Sequence, residues 1–181
     1  MNREEAFEIL QQSEEVVPAA SVNEAVVRMA GEIKAQIGDS FPLLLSVMGG
    51  AAVFTGMLLP KLDFPLEFDY IHLTRYRTGL QGGDMQWRVA PAESVKNRVV
   101  LVLDDILDEG ETMAAIRDRI LALGASRFLC AVLCEKKVQK DKPLRPDFLG
   151  VEVPDRYVFG CGMDVKGYWR NLPAIRSVAS R

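Results

Sequence analysis

The run Arg98-Val-Val-Leu-Val-Leu103, which passes without a break into Asp104-Asp-Ile-Leu-Asp-Glu-Gly-Glu-Thr112, restricts this chain more than any other stretch. A continuous β-branched and apolar run bounded by polar residues is what a strand buried on both faces of a parallel sheet requires. Thr112 to Leu123 reads as a helix closed by Gly124, and Arg127 to Cys134 as a second buried strand. Strand, helix and strand in so short a span form a βαβ unit, so an α/β protein with a parallel sheet is expected.

The flanking segments extend this pattern. Val22, Ala25, Val26, Met29, Ile33 and Ile37 recur at three- and four-residue steps, which predicts an amphipathic helix with Ser21 as its N-cap. Pro42 to Val47 is a short apolar strand leading through Met48-Gly49-Gly50 into a helix over Ala51 to Leu59. Phe68 to Thr74 reads as a strand, Arg75 to Gly83 as a polar, glycine-rich loop or long hairpin, and Met85 to Val89 as a strand again. Beyond residue 140, Pro143, Pro146, Pro154 and Pro173 punctuate short strand-like pieces around Phe148 and Tyr157 to Gly160. They predict a small appendage folded over the sheet. The 181 residues suit one domain, with a core over about 40–140 and a hood built from the N-terminal segment and about 141–181.

Charge and cysteine usage narrow the function classes. Twenty-two basic and 25 acidic residues leave a net charge of −3, so no global basic field favours nucleic acid and any anionic ligand needs a local site. Cys130, Cys134 and Cys161 lack metal-ligand spacing and cannot all pair within one chain, which fits a reducing cytoplasmic compartment. Met1 to Ala20 has no apolar stretch of signal-peptide length, and no segment approaches the ~20 apolar residues that span a bilayer.

The acids at the end of the central strand carry the chemistry. In open α/β sheets ligands bind at the carboxyl ends of strands. Asp104, Asp105 and Asp108 crowd that edge, and their repulsion needs hydroxyls, cations or other donors to offset it. A polyhydroxylated sugar with a magnesium ion meets that need. Asp108 to Thr112 then forms a turn whose backbone N–H groups and helix N-terminus can receive a phosphate, with Gly110 permitting close approach and Thr112 adding a hydroxyl. Together these features point to a ribose phosphate. The alternatives are a capped loop with solvated acids, or an Asp-Asp-x-x-Asp metal motif of the polyprenyl synthase kind, which sits within a helix of an all-helical protein.

Val99 to Thr112 resembles the signature by which type I phosphoribosyltransferases bind 5-phosphoribosyl-1-pyrophosphate (PRPP), and the likeness runs from Leu43 to the end, nearest to the hypoxanthine-guanine enzymes. It implies a Rossmann-like parallel sheet flanked by helices, with a small hood formed by the terminal segments. Val47-Met48-Gly49-Gly50 is similar to the family's pyrophosphate loop, which implies a cis peptide at Val47–Met48 and pyrophosphate contacts from Met48 and Gly49; a plain glycine turn is the alternative. The family often carries Lys where Met48 stands. Arg75 and Tyr76 fall on the catalytic flexible loop, and His72 on the preceding strand is read as structural.

By the same resemblance Asp104, Asp105, Asp108, Glu109, Gly110, Glu111 and Thr112 bind ribose phosphate, with Asp108 as general base. Lys136 reads the purine O6, although neighbouring Lys137 leaves the register open. Tyr157 stacks on the base, Val158 offers it backbone groups, Asp164 holds Mg2+ together with Asp104 and Asp105, and Arg170 contacts pyrophosphate. Glu109 and Glu111 depart from the family's usual non-acidic residues. The implied partners are PRPP, a 6-oxopurine and the nucleoside monophosphate product, in a homodimer or homotetramer. A xanthine-preferring enzyme and an RNA-binding regulator of the same fold remain as alternatives.

Overall fold

A computed structural model of the chain describes residues 1–75 and 85–178. The central strand β5 (Val99–Leu107) is continuous through the apolar run and into the acids. It sits inside a six-stranded sheet with β2 (Leu43–Val47), β3 (Glu67–Arg75), β4 (Met85–Val89), β6 (Arg127–Lys137) and β7 (Phe148–Pro154), in the order β4-β3-β2-β5-β6-β7. All neighbours are parallel except β4, which returns antiparallel along β3 with Arg75 opposite Met85.

Period-two alternation divides the core into two layers. Leu44, Leu101, Leu103, Leu129, Ala131 and Leu133 face one side, where α2 (Ala19–Ile37) and α3 (Ala52–Leu58) pack. Leu43, Leu45, Val100, Val102, Cys130 and Val132 face the other, against Met113, Ile116 and Ile120 of α4 (Glu111–Ala122). The doubly covered parallel sheet matches the expected α/β class.

Two local expectations are corrected. The N-cap of α2 is Pro18, whose extended backbone (φ −61°) starts the helix without a side-chain cap, so Ser21 lies inside the first turn rather than before it. The strand around Phe148 is no appendage: β7 is the sixth strand of the main sheet, paired with β6 from Ala131↔Phe148 to Lys137↔Pro154, so the sheet continues well past residue 140. A Cβ at Gly150 would collide with the Leu133 carbonyl and press on Met29 of α2, so glycine permits the close helix-on-strand approach there. An N-terminal helix not anticipated, α1 (Arg3–Gln11), opens with a capping box in which Asn2 and Glu5 bond reciprocally at 2.8 and 3.0 Å.

The terminal segments form a separate three-stranded sheet, β1 (Glu14–Val17), β9 (Ile175–Ser177) and β8 (Val158–Phe159), all antiparallel. This is the expected hood. Trp169 ties α1 to it by donating from Nε1 to the Ala6 carbonyl at 2.8 Å while Phe7 meets its ring edge-on.

Candidate active site

Parallel register brings the carboxyl ends of β5 and β6 to the same level, with Asp104 opposite Val132 and Leu107 opposite Glu135. A cleft of about 840 Å³ opens there, and Asp104, Asp105, all five residues from Asp108 to Thr112, and Lys136 line it. These residues are the expected ribose-phosphate set together with the expected purine-reading lysine.

Asp104 and Asp105 are almost fully buried, and the Asp105 amide donates to Asp104 Oδ1 at 2.9 Å. Burial pushes the Asp104 carboxyl well above its ordinary range, and repulsion from Asp105 adds to it. Asp105 is also raised by burial, against the opposing pull of a hydrogen bond from Asp104 and the positive charge of Arg170. The pair is therefore a desolvated acidic pocket whose carboxyl groups suit hydroxyl donors or a cation that would offset the cost of ionising them.

Two glycines fix what surrounds it. A Cβ on Gly50 would strike the Asp105 carboxylate, and a Cβ on Gly162, where φ is +105°, would strike the Gly50 carbonyl. The glycine turn after β2, the end of β5 and the 160–170 segment thus meet without room for a side chain. Cys134 adds a third tie, its Sγ donating to the Asp105 carbonyl at 3.4 Å. A non-proline cis peptide does occur in this turn, but at Met48–Gly49 rather than at Val47–Met48.

The turn from Asp108 to Thr112 leads straight into α4. Gly110 takes φ +81° as the N-cap of α4 and makes no side-chain cap bond, so the first amides of the helix are served by no capping side chain. Lys136 and Asp108 form an ion pair at 2.6 Å, with the lysine side chain only 13% exposed. Lys137, one residue on, points the other way to Glu152 at 2.7 Å and is 64% exposed. Strand alternation therefore settles which lysine faces the cleft.

On the hood side, Tyr157 is exposed and its hydroxyl donates to the Asp164 carbonyl at 3.0 Å, while Val158 is buried in β8. Asp164 accepts from the Gly167 amide at 2.6 Å and pairs with Arg170, which also donates to the Gly162 carbonyl. Among the described residues no three His, Cys, Asp or Glu side chains gather as ligands to one ion, so Asp104, Asp105 and Asp164 are not a preformed cage. The donor set still suits magnesium, which is commonly held by one or two carboxylates plus substrate oxygens and water.

Met48, Gly49, Tyr157, Val158, Asp164 and Arg170 do not line the main cleft. Arg170 and the glycine turn reach it through Asp105. Arg75 ends β3, and Tyr76 lies outside the described residues. His72 lies on β3 opposite Val89 and takes no part in the cleft. Sequence reasoning missed Gln139, Lys140 and Asp155, which also line it. They belong to loops, where no periodicity reveals which way a side chain points.

A buried acidic pair beside an uncapped helix N-terminus, at the carboxyl edge of a parallel sheet, defines an α/β protein built to hold a sugar phosphate. Residues 13–166 match the phosphoribosyl transferase domain, and the chain belongs to that family. It is 28% identical over 161 residues to the hypoxanthine-guanine phosphoribosyltransferase of Bacillus subtilis, covering 88% of this chain and 89% of that one. To the hypoxanthine-guanine-xanthine phosphoribosyltransferase of Tritrichomonas foetus it is 31% identical over 157 residues, 85% of each. The crystal structure of a Staphylococcus aureus hypoxanthine phosphoribosyltransferase shares its fold with a TM-score of 0.86 over 93% of both chains, at 22% identity.

Proposed function

We propose that the chain is a purine-salvage enzyme that transfers the phosphoribosyl group of PRPP to hypoxanthine or guanine, giving IMP or GMP and pyrophosphate. The observation that carries this reading is the Asp108–Lys136 pair, which stands in one cleft with the buried Asp104–Asp105 pair and the open N-terminus of α4.

The amides of Gly110 to Thr112 receive the 5′-phosphate, and Asp104 and Asp105 accept from the ribose hydroxyls. As the anomeric C1–O bond breaks and the C1–N bond forms, positive charge develops on the sugar, and the two aspartates stabilise it. Lys136 donates to the purine O6, which disfavours an amino group at that position. Asp108 accepts the proton that the attacking purine loses. Tyr157 stacks on the base, Val158 offers it main-chain groups, and Arg170, Met48 and Gly49 face the pyrophosphate. Asp104, Asp105 or Asp164 would hold a magnesium ion, which would supply charge neutralisation for the leaving pyrophosphate.

The setting is consistent with a cytoplasmic enzyme: its three cysteines are free and buried, and among the described residues no helix is long and apolar enough to cross a membrane. We take it to act as a homodimer or homotetramer. The Tritrichomonas relative's name adds xanthine as a third base to test.

Steady-state turnover of hypoxanthine, guanine, xanthine and adenine with PRPP and magnesium is the test. Turnover of the first two with adenine excluded is expected. Absence of turnover with every base, together with retention on immobilised RNA at moderate salt, would replace the enzyme by an RNA-binding regulator.

A further inference from the structure

The phosphate turn carries an electrostatic problem that the turn itself does not solve. Asp108, Glu109 and Glu111 place three carboxylates around the α4 N-terminus, whose dipole contributes only about half a positive charge. Asp108 is neutralised by Lys136. A phosphate dianion arriving at Gly110 and Thr112 still meets the other two acids.

Lys140 reaches both of them. Its Nζ lies 3.9 Å from Glu109 Oε1 and 3.9 Å from Glu111 Oε1, and its side chain is 65% exposed. Pairs this long and this exposed are worth little, so a stronger anion can take the ammonium from them. Lys140 also lines the same cleft as Gly110, Glu111 and Thr112.

The loop that presents Lys140 is firmly held. Lys142, with its side chain only 10% exposed, donates to the Leu107 carbonyl at 3.2 Å, the Lys136 carbonyl at 2.7 Å and Glu135 Oε1 at 2.9 Å. Pro143 lies so close to Gly110 that a Cβ there would come within 3.3 Å of its Cδ, and Arg117 donates to the Pro143 carbonyl at 3.3 Å. One buried lysine therefore locks the loop to the ends of β5 and β6, and the loop lies along the phosphate turn.

We infer that Lys140 is a phosphate-contacting residue of the PRPP site, leaving Glu109 and Glu111 for the 5′-phosphate when substrate binds. The inference rests on the phosphoribosyltransferase reading above and adds a binding group from outside the turn. Lys140 stands in for the positive charge that Glu109 and Glu111 deny to this turn.

The test is a steady-state comparison of the unmodified chain, Lys140→Met, Lys140→Arg, Glu109→Gln/Glu111→Gln, and that double variant combined with Lys140→Met, with PRPP and the purine varied separately. Loss of one charged hydrogen bond predicts a rise in KM for PRPP of about tenfold in Lys140→Met, with purine KM within about twofold and most of the affinity kept in Lys140→Arg. The same rise is expected in the Glu109→Gln/Glu111→Gln background. No rise in that background would mean that Lys140 only screens the two glutamates, and equal rises for both substrates would mean that it only supports the loop; either result overturns the inference and leaves the enzyme reading intact. An unmodified chain that turns over no purine overturns both.

Discussion

Lys136 Nζ and Asp108 Oδ2 are 2.6 Å apart across neighbouring parallel strands, one on β6 and the other just past the end of β5. This contact joins the residue assigned to the purine O6 with the residue assigned to the purine's departing proton, so the two roles can be separated by mutation. Asp108→Asn keeps the shape and removes the base; kcat is expected to fall by about 10²–10⁴ with purine KM little changed. Lys136→Ala is expected to raise KM for hypoxanthine about tenfold and to narrow the preference over adenine. Parallel assays with the two bases check both. Equal loss for the two bases in Lys136→Ala would remove the O6 assignment.

The buried acidic pair sets a pH dependence. Burial holds both Asp104 and Asp105 above the ordinary carboxylate range. Between that range, near pH ~4, and the raised folded values, the folded chain binds more protons than the unfolded chain, so stability falls as pH rises through the window. Asp104→Asn removes one of these titrations. Its unfolding temperature at neutral pH is expected to rise, by about 2–4 °C for each kcal/mol recovered, and to depend less on pH. Thermal melts from about pH 4 to pH 8 measure this, and an unchanged slope in the variant would contradict it.

Gly162→Ala attacks the junction of the site rather than its chemistry. With φ at +105° and the Gly50 carbonyl in the way, the added methyl must push the 160–170 segment from the glycine turn. Urea melts are expected to show a loss of about 1–3 kcal/mol. Activity should fall further than that loss of folded protein explains, because Asp105 sits at the same junction.

The three thiols are expected to be inert in the folded protein. All are buried, and burial pushes Cys130 up to about 12, Cys161 up to about 11, and Cys134 up as well. Iodoacetamide at about pH 8 should label none of them in the native chain and all three in denaturant. Rapid labelling of Cys134 in the native chain would mean that the packing around Asp105 opens readily.

Much of the sheet was legible in the sequence because burial on both faces leaves a continuous apolar run. Thus β5 and β6 emerged where expected, only longer, since their polar ends continue the same backbone into the cleft. The acidic set was legible for a related reason, as charges adjoining a buried strand have to lie at its end. Less legible was anything decided by contact between distant segments. β7 looked like an appendage because Gly150, Pro154 and the prolines just before the strand are loop-like locally, whereas pairing along β6 makes Phe148–Pro154 a strand. The register of Lys136 against Lys137 required knowing that β6 runs on to residue 137. No local signal marks which of two adjacent non-proline peptides is cis. The Asn2/Glu5 capping box was readable and passed unread.

The three-way contact of Gly50, Asp105 and Gly162 also bears on the order in which the molecule forms. Its members come from early, middle and late in the chain, so the contact needs two long loops to close at once. The parallel sheet can gather strand by strand, but the catalytic pocket has no partially assembled version. During refolding, turnover should therefore appear with the last docking step, lagging far-UV circular dichroism.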